Sequence, residues 1–249
     1  MAARKKSVSF GGQMELHTDR AIVLRADAYA EADRIVTLFT ASGGKQRALA
    51  RRARSSQRRF AGLQPCMSGS VRVEHRRSGL HVLHEFVVDD GQLGLLSDLA
   101  RLAHAAYVCE LTELLTAEEA SDPALHALLG ATLSELATAP IAVERLRRFE
   151  LRSLAILGFL PALDACVQCS KTLEVAAGWS ATGVLCGDCA AEDRQVGLAS
   201  LWTLQSDAPL PTLDGATRSL VRALLATWLR APLGHRTLRS VAFIEEINR

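Results

Sequence analysis

Four cysteines carry the strongest chemical signal in this sequence. They form two pairs, Cys166-Val167-Gln168-Cys169 and Cys186-Gly187-Asp188-Cys189, with sixteen residues between them. A Cys-x-x-Cys turn is tight enough to aim both sulfurs at one ion, and two such turns supply the four thiolates of a tetrahedral zinc site. Four thiolates leave no coordination position for a reacting water, so the expected role is structural, with one Zn2+ per chain. Disulfides are the less favoured use in a reducing compartment, and a redox Cys-x-x-Cys would not need a duplicate. Cys66 and Cys109 stand apart in the sequence and read as small buried hydrophobes.

The second signal is a step in charge. Residues 1–80 hold 16 Lys+Arg against 6 Asp+Glu, a net +10; residues 81–249 hold 13 against 21, a net −8, which together give the chain's +2. Positive density peaks where Lys45, Arg47, Arg51, Arg52, Arg54, Arg58 and Arg59 follow one another with no acidic residue between. A solvated loop is the plain alternative, but such a run repels itself and is easier to rationalise against phosphate. The expected nucleic-acid contacts are these seven with Arg25, Arg34 and Arg72. Arg145, Arg147, Arg148 and Arg152 form a reserve cluster on one helical segment, whose ordinary reading is a solvated face partly paired with Glu144 and Glu150. Phosphate-binding glycine loops, His-Glu-x-x-His and Gly-x-Ser-x-Gly are all missing. His81 and His84, three apart on a strand, point to opposite faces and make a poor metal pair. No enzymatic chemistry is expected.

The elements that must position these residues change in kind along the chain. Ala21–Leu24, Arg34–Phe39, Gln46–Arg51, Ser70–Glu74 and Leu80–Val87 read as five short strands, with Gly43-Gly44 as a tight turn. That spacing suits a small OB-type barrel, although an SH3-like one is equally compatible. Beyond Gly91 the apolar spacing becomes helical. Ser97-Asp98 caps a stripe of Leu99, Leu102, Ala103, Ala106, Leu111, Leu114 and Leu115, and Asp122-Pro123 starts a second helix. A third runs from Ile141 to Leu157, stopped by Gly158 and Pro161, and Thr217–Leu229 and Ser240–Ile247 follow. The fold class is therefore α+β multidomain. It comprises a disordered tail (1–13), a five-stranded OB-type β-barrel (14–91), an α-helical domain (92–163 and 197–249) and an inserted four-cysteine zinc module (164–196). The longest uncharged apolar runs fall short of the roughly 20 residues a bilayer span needs, and Arg4-Lys5-Lys6 is not followed by a signal-like apolar segment. The expected compartment is the cytoplasm, with no membrane contact.

In this order, a basic barrel, a helical domain and a four-cysteine module resemble the bacterial recombination mediator family RecO. The likeness rests on Glu31–Thr40 as the family's first hairpin and on Ala50-Arg51-Arg52-Ala53-Arg54 with Leu63-Gln64-Pro65 as its basic loop and the strand beyond. Glu150, Leu154, Leu157-Gly158-Phe159 and Pro161 lead into Cys166, and Trp179-Ser180 with Gly183–Cys186 match the module's second half. The sequence departs from the family at Arg52, Ser170 and Thr182, where Gly is usual, and at Cys66, where an aromatic residue is. The resemblance implies binding to single- and double-stranded DNA, annealing of complementary strands, and RecA loading onto SSB-coated DNA with a RecR-like partner, without nucleotide hydrolysis. SSB's C-terminal tail would be a contact and RecA an indirect partner, in a nucleoid-associated protein. The rival readings are a zinc-ribbon RNA-binding transcription or translation factor and a nuclease with an unrecognised site.

Overall fold

The computed structural model describes residues 16–173, 178–190 and 198–247; the expected tail at 1–13 lies outside them. Five strands come first: Leu16–Tyr29 (β1), Asp33–Thr40 (β2), Gly44–Ala50 (β3), Ser68–Glu74 (β4) and His81–Val88 (β5). They close into a barrel in the order β1-β2-β3-β5-β4. Every ladder is antiparallel except β3–β5, where Ala48, Leu49 and Ala50 run parallel to His81, Val82 and Leu83. This is the partly crossed closure of an OB barrel. Period-two alternation fills the interior: Val71 and Val73 are buried while Arg72 between them is exposed, and Ala48 and Ala50 leave room at the axis.

A four-residue helix, Gln57–Phe60 (α1), lies in the loop between β3 and β4. After the barrel come a 3-10 helix at Asp90–Ser97, then Leu99–Leu115 (α2), Pro123–Thr138 (α3) and Val143–Ile156 (α4). The cysteine segment contributes a small hairpin, Gly178–Ser180 (β6) and Gly183–Leu185 (β7). Leu198–Gln205 (α5), Gly215–Leu233 (α6) and Arg239–Ile247 (α7) complete the fold. Three aspartates start helices by accepting backbone N–H groups: Asp98 from Ala100 at 2.7 Å, Asp122 from Leu125 at 2.9 Å and Asp214 from Thr217 at 2.8 Å. Among the described residues no helix is long and apolar enough to cross a membrane.

The helices cover one end of the barrel's outer face. Ile22 and Phe39, opposed in register across β1 and β2, point outward yet are completely buried, and Phe39 packs against the His126 ring of α3 with centroids 5.8 Å apart. At the start of β3, Glu119 N donates to Lys45 O at 2.8 Å. Gly44 sits beneath at φ +69, where a Cβ would lie 2.0 Å from Ala120 O, so no other residue fits. One continuous apolar core then runs from Ala21 in β1 to Leu233 in α6.

The structure differs from the sequence reading at several points. Leu63–Pro65 is loop, and β4 starts only at Ser68. Cys66, inside that loop, holds the left-handed φ of +69, which keeps the chain turning. Leu99, the first residue of α2, does not join the core stripe but is 56% exposed. The 3-10 helix, α1 and α5 are unforeseen; they are short, and such apolar runs carry little periodic signal. Cys66 and Cys109 are buried as expected but do not stand apart, for their thiols hydrogen-bond and, with burial, this pushes the Cys109 thiol well up.

Two imidazoles at the packed centre generate a pH dependence. Burial pushes His104 of α2 and His126 of α3 below the ordinary histidine value, and among the described residues His104 Nδ1 and His126 Nε2 have no hydrogen-bond partner. Protonation is therefore easier in the unfolded chain. Their contribution to stability is present above the unfolded pKa of about 6.5 and is lost as pH falls through the folded values. The urea unfolding midpoint should drop between pH 7.5 and pH 5, and a His104→Leu, His126→Leu double variant should drop less. An equal loss in the variant would assign the acid sensitivity elsewhere.

Candidate metal centre and nucleic-acid interface

The two cysteine turns are built by their own backbones. Ser170 N donates to Cys166 O at 2.8 Å in the first, and Ala190 N donates to Cys186 O at 2.9 Å in the second. Val167 N donates to Val184 O at 3.0 Å, which ties the first turn to β7 and brings the pairs together. Ser170 adopts φ 61, the left-handed conformation that glycine adopts without strain, in keeping with the glycine the resemblance implied there. Thr182, where the resemblance also implied glycine, does not adopt it. The four sulfurs lie within 4.8 Å of one another, and Cys169 Sγ is 3.6 Å from Cys186 Sγ. A tetrahedral ion with metal–sulfur bonds of about 2.3 Å places its sulfurs about 3.8 Å apart, so the set fits one metal ion.

All four are free thiols. Backbone hydrogen bonds, that of Cys186 first, hold the Cys166 thiol down to about 6. Hydrogen bonding to the Cys186 sulfur pushes Cys189 up to about 12. Four sulfurs this close cannot all ionise without a cation, whose charge would replace the shared protons. Trp179 is buried, and Trp228 Nε1 of α6 donates to Ser180 O at 3.0 Å, which fastens the hairpin to the helices. Residues 174–177 and 191–197 of the expected module lie outside the described ones.

The cationic residues divide into two groups by what they touch. In the β3–β4 loop Arg51, Arg52, Arg54, Arg58 and Arg59 are exposed, and so is Arg47 on the outer face of β3. Among the described residues none of these six forms an ion pair. The loop is nevertheless ordered by the β1–β2 hairpin: Arg52 N donates to Asp33 Oδ1 at 2.8 Å, Arg54 N to Ala32 O at 3.0 Å and Arg54 Nη1 to Glu31 O at 3.1 Å. Arg59 Nη2 donates to Arg51 O at 3.2 Å while its guanidinium lies 5.0 Å from the Phe60 ring centroid. Arg52 sits at φ 57, another left-handed position where the resemblance implied glycine, at a cost of roughly 1–2 kcal/mol that buys one more cation. Asp33 is the organiser that sequence reading missed; an acidic residue beside a basic run gives no hint of such a role.

The other candidates are engaged. Lys45 is not on the open surface: its ammonium donates to Glu113 O at 2.7 Å and Thr116 O at 2.6 Å, and burial lowers its pKa. Arg34 donates to Leu63 O at 2.8 Å from the barrel's end. Arg25 pairs with Asp27 at 3.1 Å and Glu113 at 3.4 Å, and Arg72 with Glu85 at 3.6 Å, although both remain half exposed. The reserve cluster is structural throughout. Arg145 meets Glu135 at 2.9 Å and Arg147 meets the fully buried Glu150 at 2.9 Å. Arg148 donates to Ala208 O at 2.6 Å, just beyond α5, and Arg152 to Gln205 O at 3.1 Å, at its last residue. Glu144 pairs instead with Arg218 of α6 at 2.6 Å. Burial raises the Glu150 carboxyl, and the hydroxyl of Tyr107 donates to it.

The chain thus joins a closed five-stranded barrel bearing an exposed arginine loop, a helical body and four cysteines placed to hold one metal ion. The family model described as "Recombination protein O N terminal" matches residues 14–90, and "Recombination protein O C terminal" matches 96–241. The chain belongs to this RecO family. Among its relatives, the DNA repair protein RecO of Anaeromyxobacter dehalogenans (strain 2CP-C) is 38% identical over 91% of this chain and 94% of the relative. That of Myxococcus xanthus is 34% identical over 94% and 99%. That of Pelobacter propionicus reaches 41%, over 62% of this chain and 63% of its own length.

The metal site yields a direct test. The purified chain should carry about one metal ion, and Cys→Ser at any of Cys166, Cys169, Cys186 or Cys189 should remove it and lower the thermal midpoint. Full metal content in a Cys169→Ser variant would disprove four-sulfur coordination.

Proposed function

We propose that this protein is a recombination mediator in DNA repair, which binds single- and double-stranded DNA through the barrel's arginine loop and anneals complementary strands. The observation that carries this reading is the run Arg51, Arg52, Arg54, Arg58 and Arg59, exposed, without ion pairs among the described residues, in a loop hydrogen-bonded to the β1–β2 hairpin. Family membership supports the pathway. In it the protein would work with a RecR-like partner and the C-terminal tail of SSB to help place RecA on SSB-coated single strands, without hydrolysing nucleotide. Its compartment would be the cytoplasm, in association with the nucleoid. The four thiolates would hold one structural Zn2+, the metal suited to a closed tetrahedral sulfur set.

The physics of annealing agrees with such a site. Two strands repel through their phosphates, and arginines that neutralise phosphate lower that repulsion while leaving base edges free to pair. If the five loop arginines neutralise five phosphates, the log of affinity for a single strand should fall against log salt with a slope near −3.5, from about −0.7 per phosphate. Annealing rates in the same buffers should follow the same curve. A flat salt response, or annealing that persists after binding is lost, would reject the mechanism.

A further inference from the structure

The barrel region carries four phenylalanine and tyrosine side chains among its described residues, and three are buried. Phe39 and Phe86 are buried in the core, and Phe60 is buried beneath the Arg59 guanidinium. Tyr29 alone is open, 51% exposed at the last position of β1. Its placement is not casual. Tyr29 opposes Asp33 across the β1–β2 hairpin, and Ala30 turns the chain immediately beyond it at φ 50. The same hairpin holds the arginine loop, through Asp33 Oδ1, Ala32 O and Glu31 O. The ring and the loop cations therefore form one rigid end of the barrel.

Register extends the surface. Tyr29, Asp27 and Arg25 alternate onto one face of β1, where Asp27 opposes Ile35 and Arg25 opposes Thr37. Across the next ladder Ile35 opposes Leu49 and Thr37 opposes Arg47. Ile35 and Leu49 are only half buried, so a small apolar patch lies on this face between Tyr29 and the buried Thr37. Around the ring the charge is wrong for phosphate: Asp27, Glu31 and Asp33 are its neighbours in the hairpin. An uncharged, flat group is what this spot accepts, next to cations that accept phosphate.

We propose that Tyr29 is a base-stacking subsite, on which one unpaired nucleobase lies while the arginine loop holds the adjoining phosphates. This rests on the DNA-binding reading above. It adds something that phosphate contacts cannot supply, a preference for single strands, because a paired base offers no free face except at a duplex end. An annealing protein with such a subsite would release its grip on a base as that base pairs.

The experiment compares wild type, Tyr29→Ala and Tyr29→Phe on three probes of equal length: a homopolymeric single strand, the same strand without bases, and a blunt duplex. Tyr29→Ala should lose about 5- to 150-fold in affinity for the intact single strand, the usual range for one stacked base. Tyr29→Phe should bind like wild type. On the abasic strand and on the duplex all three should bind alike, which also shows that the Ala variant is folded. Steep salt-dependent binding by wild type with no loss in Tyr29→Ala would overturn the subsite and leave the phosphate-binding reading standing. Absence of DNA binding by wild type would overturn both. A loss in Tyr29→Ala of equal size on duplex and abasic strand would also overturn stacking.

Discussion

The carbonyl groups at the ends of helices decide where this protein's positive charge can go. The last turn of a helix leaves carbonyl oxygens without intrahelical partners and concentrates partial negative charge, so a cation nearby is held by hydrogen bonds and field together. Lys45 reaches the end of α2, Arg101 donates to Leu136 O and Ala139 O at the end of α3, and Arg148 and Arg152 lie over the end of α5. In each case a side chain from one element closes another, and two of the three join parts distant in sequence. The barrel and the helical body share a core largely because Lys45 and Gly44 fix the segment after α2 against β3.

What remains free is then informative. Among the described residues, the guanidinium groups of the β3–β4 loop pair with no carboxylate. Asp33 organises that loop through a backbone N–H rather than through a guanidinium, which leaves the charges available. The strained residues serve the same placement. Arg52 and Ser170 occupy left-handed positions that glycine would fill without cost, the first in the arginine loop and the second in a cysteine turn. Both sites that bear chemistry are thus tight turns held against an otherwise regular scaffold.

Much of this was legible beforehand, for physical reasons. Alternation and β-branched runs mark strands of a half-buried barrel, and Asp122-Pro123 announces a helix start in two residues. Two Cys-x-x-Cys pairs nearly define their own geometry, because the turn and the ligand set are both local. Destinations of long side chains are not local. Lys45 and Arg58 look equivalent in a basic run, yet one is enclosed by the end of α2 and the other is exposed. The meeting of Cys66 with Cys109, and of Arg218 with Glu144, is likewise set by tertiary contact alone. Helices α1 and α5 are too short for their periodicity to stand out.

The division of cations into structural and free is the central claim, and paired substitutions test it most directly. An Arg51→Gln, Arg52→Gln, Arg54→Gln variant and an Arg148→Gln, Arg152→Gln variant would be compared for single-strand affinity at 0.1 M salt and for unfolding midpoint. The loop variant should lose about 100-fold in affinity, three phosphate contacts at roughly 5-fold each, with its midpoint unchanged or raised. The helix variant should lose about 1–3 kcal/mol of stability and keep its affinity while folded. Wild-type affinity in the loop variant, or lost affinity in a folded helix variant, would contradict the account.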